Sequence, residues 1–243
     1  MAPVLQNRTL KALSLILSYP SRELQQAMPE IAGALAAETR LTAAARRALR
    51  PLLEELQAGD IFDLEERYVM LFDRSRALSL NLFEHVHGES RDRGGAMVSL
   101  LETYRDGGFE PATTELPDHL PVLLEFLSTR PFAEAWEVLA DAAHIFEALN
   151  ARLVRRESPY AAAFAALFQL AGTAPDKAAV AEILERPDIA ADDLKALDEV
   201  WEESEVRFAP DPNGGCPQMR DLLAQMDVPI NSARPARRSS NGG

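Results

Sequence analysis

Apolar positions along this chain recur at spacings of three and four and almost nowhere in alternation, the signature of amphipathic helices gathered on a shared core. Leu10 to Leu17 predicts a first helix. Leu24, Met28, Ile31 and Leu35 fall on one face of a second, which Pro29 is expected to kink or split because proline lacks an amide and crowds the preceding turn. Thr42 is set to cap a helix with apolar face Leu49, Leu52, Leu53 and Leu56, stopped by Gly59. Asp63, with Glu66 three residues on, has the form of a capping box ahead of a stripe of Leu64, Tyr68 and Leu71. Ser90 to Asp106 predicts a helix with Met97, Leu101 and Tyr104 inward, ended by Gly107-Gly108. Pro117 suits the first turn before Leu120, Leu123, Leu124 and Leu127.

Phe132, Trp136, Leu139, Ala143, Phe146 and Leu153 outline one long helix starting near Pro131. Ser158-Pro159 reads as cap and first-turn proline of a helix through Phe164, Leu167 and Phe168 to Gly172. Two more run from about Asp176 to Glu185 and from Asp192 to Val206. Nothing is left from which to build a sheet. The expectation is an all-α fold: one compact domain of about ten helices over residues 1–233, then a basic, polar tail over 234–243 expected to be disordered.

Composition narrows the function classes. Of 243 residues, 47% are hydrophobic and 26% charged, as in a globular domain with a sizeable core. The balance of 38 acidic to 25 basic residues, a net charge of −13, repels nucleic acid and anionic membrane surfaces and attracts basic partners. It is uneven: residues 182–211 hold 11 acidic and 3 basic side chains, a solvated face that also steers a basic partner. The single cysteine, Cys216, excludes an internal disulfide and any Cys-rich metal site. The N-terminal apolar patch is too short to span a bilayer and lacks a cleavage pattern. A cytoplasmic setting fits.

The densest chemistry lies in residues 68–126, and several readings compete for it. Glu84, His85, His87 and Glu89 offer metal-ligand types, but on a helix His85 and His87 project about 200° apart, and helical zinc motifs place histidines four apart. The alternative function is thus a helical metal-dependent enzyme built on His85 and His87, with Glu84 and His119. Arg91 and Arg93 beside Gly94-Gly95 suggest a phosphate-holding turn, without the strand and Lys-Ser/Thr of a P-loop. Glu115, Asp118, His119 and Glu125 suggest acid–base work, although no serine or cysteine sits in a nucleophile motif. Tyr68 to Phe72 forms a helical stripe, either core or the floor of a groove for an amphipathic helix.

Three blocks resemble one family in their order: aromatic-x-x-Leu-Phe-Asp-Arg at 68–74, Leu-Phe-Glu-His-Val-His-Gly-Glu-Ser-Arg-Asp-Arg-Gly at 82–94, and Glu-Leu-Pro-Asp-His-Leu-Pro-x-x-Leu-Glu-Phe-Leu at 115–127. They are similar to the NarJ family, the assembly chaperones (delta subunits) of respiratory nitrate reductase within the redox-enzyme maturation chaperones. The resemblance implies an all-helical fold, no catalysis and no resident cofactor or metal. It implies binding of the basic N-terminal segment of the apo catalytic (alpha) subunit, support of molybdenum cofactor insertion, and delay of membrane docking until the metal centres are in place.

Family peptide-binding elements carry over to Tyr68, Leu71 and Phe72, and to Asp118 and His119. Here Pro117 directly precedes Asp118, where the family pattern has an intervening residue, and Asn81 stands where a histidine is expected. The implied peptide-binding set is Tyr68, Leu71, Phe72, Glu84, His85, His87, Glu89, Glu115, Asp118 and His119, an aromatic groove with acidic edges. Arg91 and Arg93 are the candidates for any direct cofactor contact.

Overall fold

The computed structural model describes residues 7–87 and 92–188, with His87 lacking a described side chain. They fall in the first of two compact units, Met1–Leu197. The helix expected at 192–206, Cys216, most of the acidic run and the tail at 234–243 lie outside the described residues. So do Glu89, Arg91 and the His87 imidazole.

Among the described residues there are twelve α-helices and no strand. The chain is all-α, with more breaks than apolar spacing alone predicts. The first helices, α1 (Arg8–Ile16) and α2 (Arg22–Ala36), bury the expected stripes. Pro29 does not split α2. Its ring is on the exposed face, where water reaches the unpaired carbonyl, while Leu24, Met28, Ile31 and Leu35 are buried beneath. Each such burial is worth about 1.5–3 kcal/mol, which outweighs the roughly 3 kcal/mol cost of an internal proline.

The stretch from Thr42 to Gly59 is two helices, α3 (Ala43–Ala48) and α4 (Arg50–Ala58). Thr42 caps α3 through its hydroxyl, and Pro51 in the first turn of α4 forces the break at Leu49. Gly59 ends α4, and a Cβ there would lie 2.7 Å from the Glu55 carbonyl. The cap of α5 (Ile61–Tyr68) is Asp60, which accepts the Phe62 amide at 2.9 Å. Asp63 and Glu66 are therefore not a capping box; the true cap lies three residues earlier. Helix α5 runs into a π-turn, Val69–Asp73, closed by the Arg74 amide on the Val69 carbonyl, and then a 3₁₀ turn, Arg76–Leu78.

Beyond it come α6 (Leu82–His87), α7 (Asp92–Asp106) and α8 (Leu120–Ser128). On α7 only Tyr104 is fully buried; Met97 and Leu101 are half-buried. Pro121, not Pro117, occupies the first turn of α8. Pro117 instead supplies the carbonyl that accepts the Tyr104 hydroxyl at 2.7 Å. Nearly every residue of α8 is buried, as a helix apolar all round requires. It packs on α1, where Ser14 donates to the Pro121 carbonyl at 2.7 Å and Lys11 pairs with Glu125.

The predicted long helix is broken at Ala142 into α9 (Phe132–Asp141) and α10 (Ala143–Arg155), and Trp136 is 40% exposed. Tyr160, not Ser158, stands at the start of α11 (Ala161–Ala171). Gly172 closes α11 at φ +62°, and α12 (Lys177–Glu185) stands where a helix from about Asp176 is expected, with Asp176 as its cap. Helix α10 packs against both α11 and α12. No described helix is long and apolar enough to cross a membrane.

Candidate functional site

The aromatic-x-x-Leu-Phe element is mostly interior. Tyr68 and Phe72 are 3% and 4% exposed, and Leu71 is half-buried against the core. Tyr19, Tyr68, Phe72 and Tyr160 form an edge-to-face series with centroids 5.5, 5.1 and 5.1 Å apart. The Tyr68 hydroxyl donates to the Leu17 carbonyl at 3.0 Å, and burial, then Asp73, pushes its pKa upward. Tyr68 and Phe72 are thus a wall turned to the core, and the open surface of this element belongs to its neighbours.

The histidine and aspartate motifs meet at a joint between residues 77–85 and 116–120. Asn81 and His119 form an isolated antiparallel bridge. The Leu120 amide donates to the Leu80 carbonyl at 2.8 Å, and the Leu82 amide to the Asp118 carbonyl at 3.1 Å. Asp118 is fully buried, and its Oδ2 accepts the Phe83 amide at 2.9 Å. Burial raises its pKa, opposed by the Phe83 bond and Arg93. His85 is 4% exposed, with Nε2 2.8 Å from the Ser79 carbonyl. That carbonyl only accepts, so the ring donates from Nε2. Burial lowers the His85 pKa, the Ser79 hydrogen bond opposing it.

Arg152, which the motifs did not point to, bolts the joint from behind. It is 1% exposed and gives 2.6 Å bonds to the carbonyls of Ala77 and Ile183 and a 2.9 Å bond to that of Arg186. Arg186 in turn donates to the Glu84 carbonyl at 2.8 Å. Glu84 pairs with Arg93 at 3.2 Å, so Arg93 is engaged within the protein. Three acceptor-type atoms at the joint have no hydrogen-bond partner: Asn81 Oδ1, Asp118 Oδ1 and His119 Nδ1. Among the described residues no three His, Cys, Asp or Glu side chains are placed to hold a metal ion.

The outer face of α5 is of a different kind. Phe62, Glu65, Glu66 and Val69 recur at helical spacing opposite Ile61, Leu64 and Tyr68, and with Tyr19, Met70 and Arg74 they line an open hollow of about 330 Å³. Phe62 is 72% exposed and Tyr19 49%, unusual for large aromatic side chains on a water-facing surface. Neither Glu65 nor Glu66 forms an ion pair among the described residues. The Tyr19 pKa is raised by desolvation, then by Glu65 and Asp73. Glu115, exposed, acts electrostatically on Asp73, Tyr68 and His119 alike, so the 68–73 and 115–119 elements lie side by side. Sequence reading missed this face. The signal was Phe62, an aromatic residue one position off the core stripe.

Residues 38–166, more than half of the chain, match the family described as nitrate reductase delta subunit. The chain belongs to this family. Over 207 residues it is 48% identical to the nitrate reductase molybdenum cofactor assembly chaperone NarJ of Escherichia coli K12, covering 85% of this chain and 87% of that one. The probable chaperone NarW of the same strain is 37% identical over 85% of this chain and 86% of its own length. The probable NarJ of Bacillus subtilis 168 is 32% identical over 63% and 82%. These delta-subunit relatives are named as assembly chaperones, not catalytic enzymes, in agreement with a non-enzymatic reading of the Asp118–His119 element.

Proposed function

We propose that this member of the nitrate reductase delta subunit family is a cytoplasmic chaperone that binds the basic N-terminal segment of the apo catalytic (alpha) subunit. It thereby supports molybdenum cofactor insertion and ordered assembly before the enzyme docks at the membrane. The carrying observation is the outer hollow, where exposed Phe62 and Tyr19 share one concavity with Glu65 and Glu66, whose carboxylates have no ion pair among the described residues. An amphipathic helix laid there buries its apolar face on the rings, Val69 and Met70 and turns its cations to the rim. Apolar burial supplies most of the affinity, and the chain's net charge of −13 speeds encounter.

The neighbouring joint adds polar contacts from exposed Glu115 and half-buried His119, while Asp118, fully buried, holds the joint's shape. Glu84 and His85 position that joint, as Tyr68 and Phe72, with half-buried Leu71, back the hollow. Titration of the full-length protein with the partner's N-terminal peptide tests the proposal: saturable binding that weakens as salt rises is expected, and no binding at low salt refutes it.

A further inference from the structure

Resting on that reading, we infer that the hollow on the outer face of α5 is a seat for an arginine side chain, with Tyr19 and Phe62 holding the guanidinium plane and Glu65 and Glu66 accepting its N–H donors. The occupant is a basic amphipathic helix that presents at least one arginine on the edge of its apolar face.

Three features of the hollow carry this. Two aromatic rings, from the loop after α1 and from the first turn of α5, line the same small concavity. Both rings are open to solvent, Phe62 the more so, while Tyr19 also packs edge-to-face on Tyr68. The acids stand one helical turn further along, at i+3 and i+4 from Phe62, on the same face. Glu65 is half-buried and Glu66 exposed, and neither is spent on an ion pair among the described residues. By contrast, Glu55 pairs with Arg67, Glu38 with Arg40 and Glu84 with Arg93. Asp73 adds negative field from the adjacent turn, since it and Glu65 both act on Tyr19.

The ring-plus-carboxylate combination discriminates between cations. An acidic rim alone accepts lysine and arginine alike, because each is one positive charge near the surface. A planar guanidinium gains twice more: it stacks on aromatic faces and donates two parallel bonds to carboxylates, which a hydrated ammonium does not do. Arg74 at the edge of the hollow, 3.8 Å from Met70 Sδ, opposes any cation by Coulomb repulsion, lysine and arginine equally. It therefore lowers affinity without altering preference.

The experiment titrates the full chain with two synthetic peptides: the N-terminal segment of the nitrate reductase catalytic subunit, and a copy with every arginine replaced by lysine. The lysine copy is expected to bind about tenfold more weakly. Against Phe62→Leu, and against the Glu65→Gln/Glu66→Gln double variant, the gap is expected to close to about twofold or less. Circular dichroism controls for folding, which Phe62→Leu should preserve because the ring is mostly in solvent. Equal binding of the two peptides to the unaltered protein, or a gap that survives both variants, overturns the arginine seat while leaving chaperone function standing. Failure of both peptides to bind overturns the underlying reading instead.

Discussion

The joint at residues 77–85 and 116–120 and the outer face of α5 draw on the same residue types and use them in opposite ways. At the joint, an acid, a histidine and an arginine are buried, and most of their polar atoms are spent on backbone groups of an irregular segment. At the outer face of α5, Glu65, Glu66, Phe62 and the neighbouring Tyr19 line an open hollow, the two acids without an ion pair among the described residues. The first set makes one shape; the second waits for a complement. Density of chemistry in a sequence therefore marks where a chain must be fixed as readily as where it binds. Burial, not residue type, tells the two apart.

The sharpest way to break this comparison is at Arg152. Replacing it with methionine keeps much of the volume but removes a donor from the carbonyls of Ala77, Ile183 and Arg186, of which Ile183 retains the Arg186 amide at 3.3 Å. Leaving buried groups unpaired is expected to cost about 3–5 kcal/mol, or roughly 10 °C in Tm for a chain this long. Affinity for the peptide per folded molecule should stay within about twofold. A stable Arg152→Met protein that no longer binds would reverse the assignment and make the joint the contact surface.

Asp118→Ala is next. The Phe83 amide loses its acceptor and the Asn81–His119 bridge loses its neighbour, for an expected loss of about 1–3 kcal/mol by chemical denaturation. Binding should weaken less than stability, since the Asp118 side chain is fully buried. His85 sharpens the point through pH. Its folded pKa is lowered from 6.5, first by burial, so on acidification the unfolded state takes up a proton before the folded state does. The stability His85 contributes is present above pH 6.5 and is lost as pH falls from there through the folded value. His85→Gln should flatten the stability profile over that window, and an unchanged profile would show that the ring is not held neutral.

Much of the fold was legible because helical periodicity reports burial directly. The stripes Leu24–Leu35 and Leu120–Leu127, the Thr42 cap, the helix ending at Glu185 and the Gly172 stop all stand where spacing predicts. Breaks were legible only when the breaker was weighed against its surroundings. Pro29 is tolerated on a solvent face, whereas Pro51, in the first turn of α4, coincides with the break at Leu49. The site was less legible for a related reason. Tyr68 and Phe72 have the same pattern whether they floor a groove or back it; Tyr68 turns inward with the α5 stripe and Phe72 within the π-turn at Val69–Asp73. Arg152 carried no local signal, because its three partners are carbonyls from segments 31 to 75 residues away.

The smallest expected effect on stability belongs to the residue expected to matter most for binding. Phe62→Ser removes a ring that is 72% exposed, so little core contact is lost, and the change in unfolding free energy should stay within about 0.5 kcal/mol. If the ring is covered by a partner helix, the same change removes most of one aromatic burial, worth about 1.5–3 kcal/mol, and affinity should fall tenfold or more. Paired denaturation and titration curves on one preparation separate the two quantities. Were Phe62→Ser to unfold the protein, the ring would be packing where it is taken to be free. Were it to leave both curves unmoved, the hollow would be an idle surface and the weight of binding would shift to Glu115 and His119.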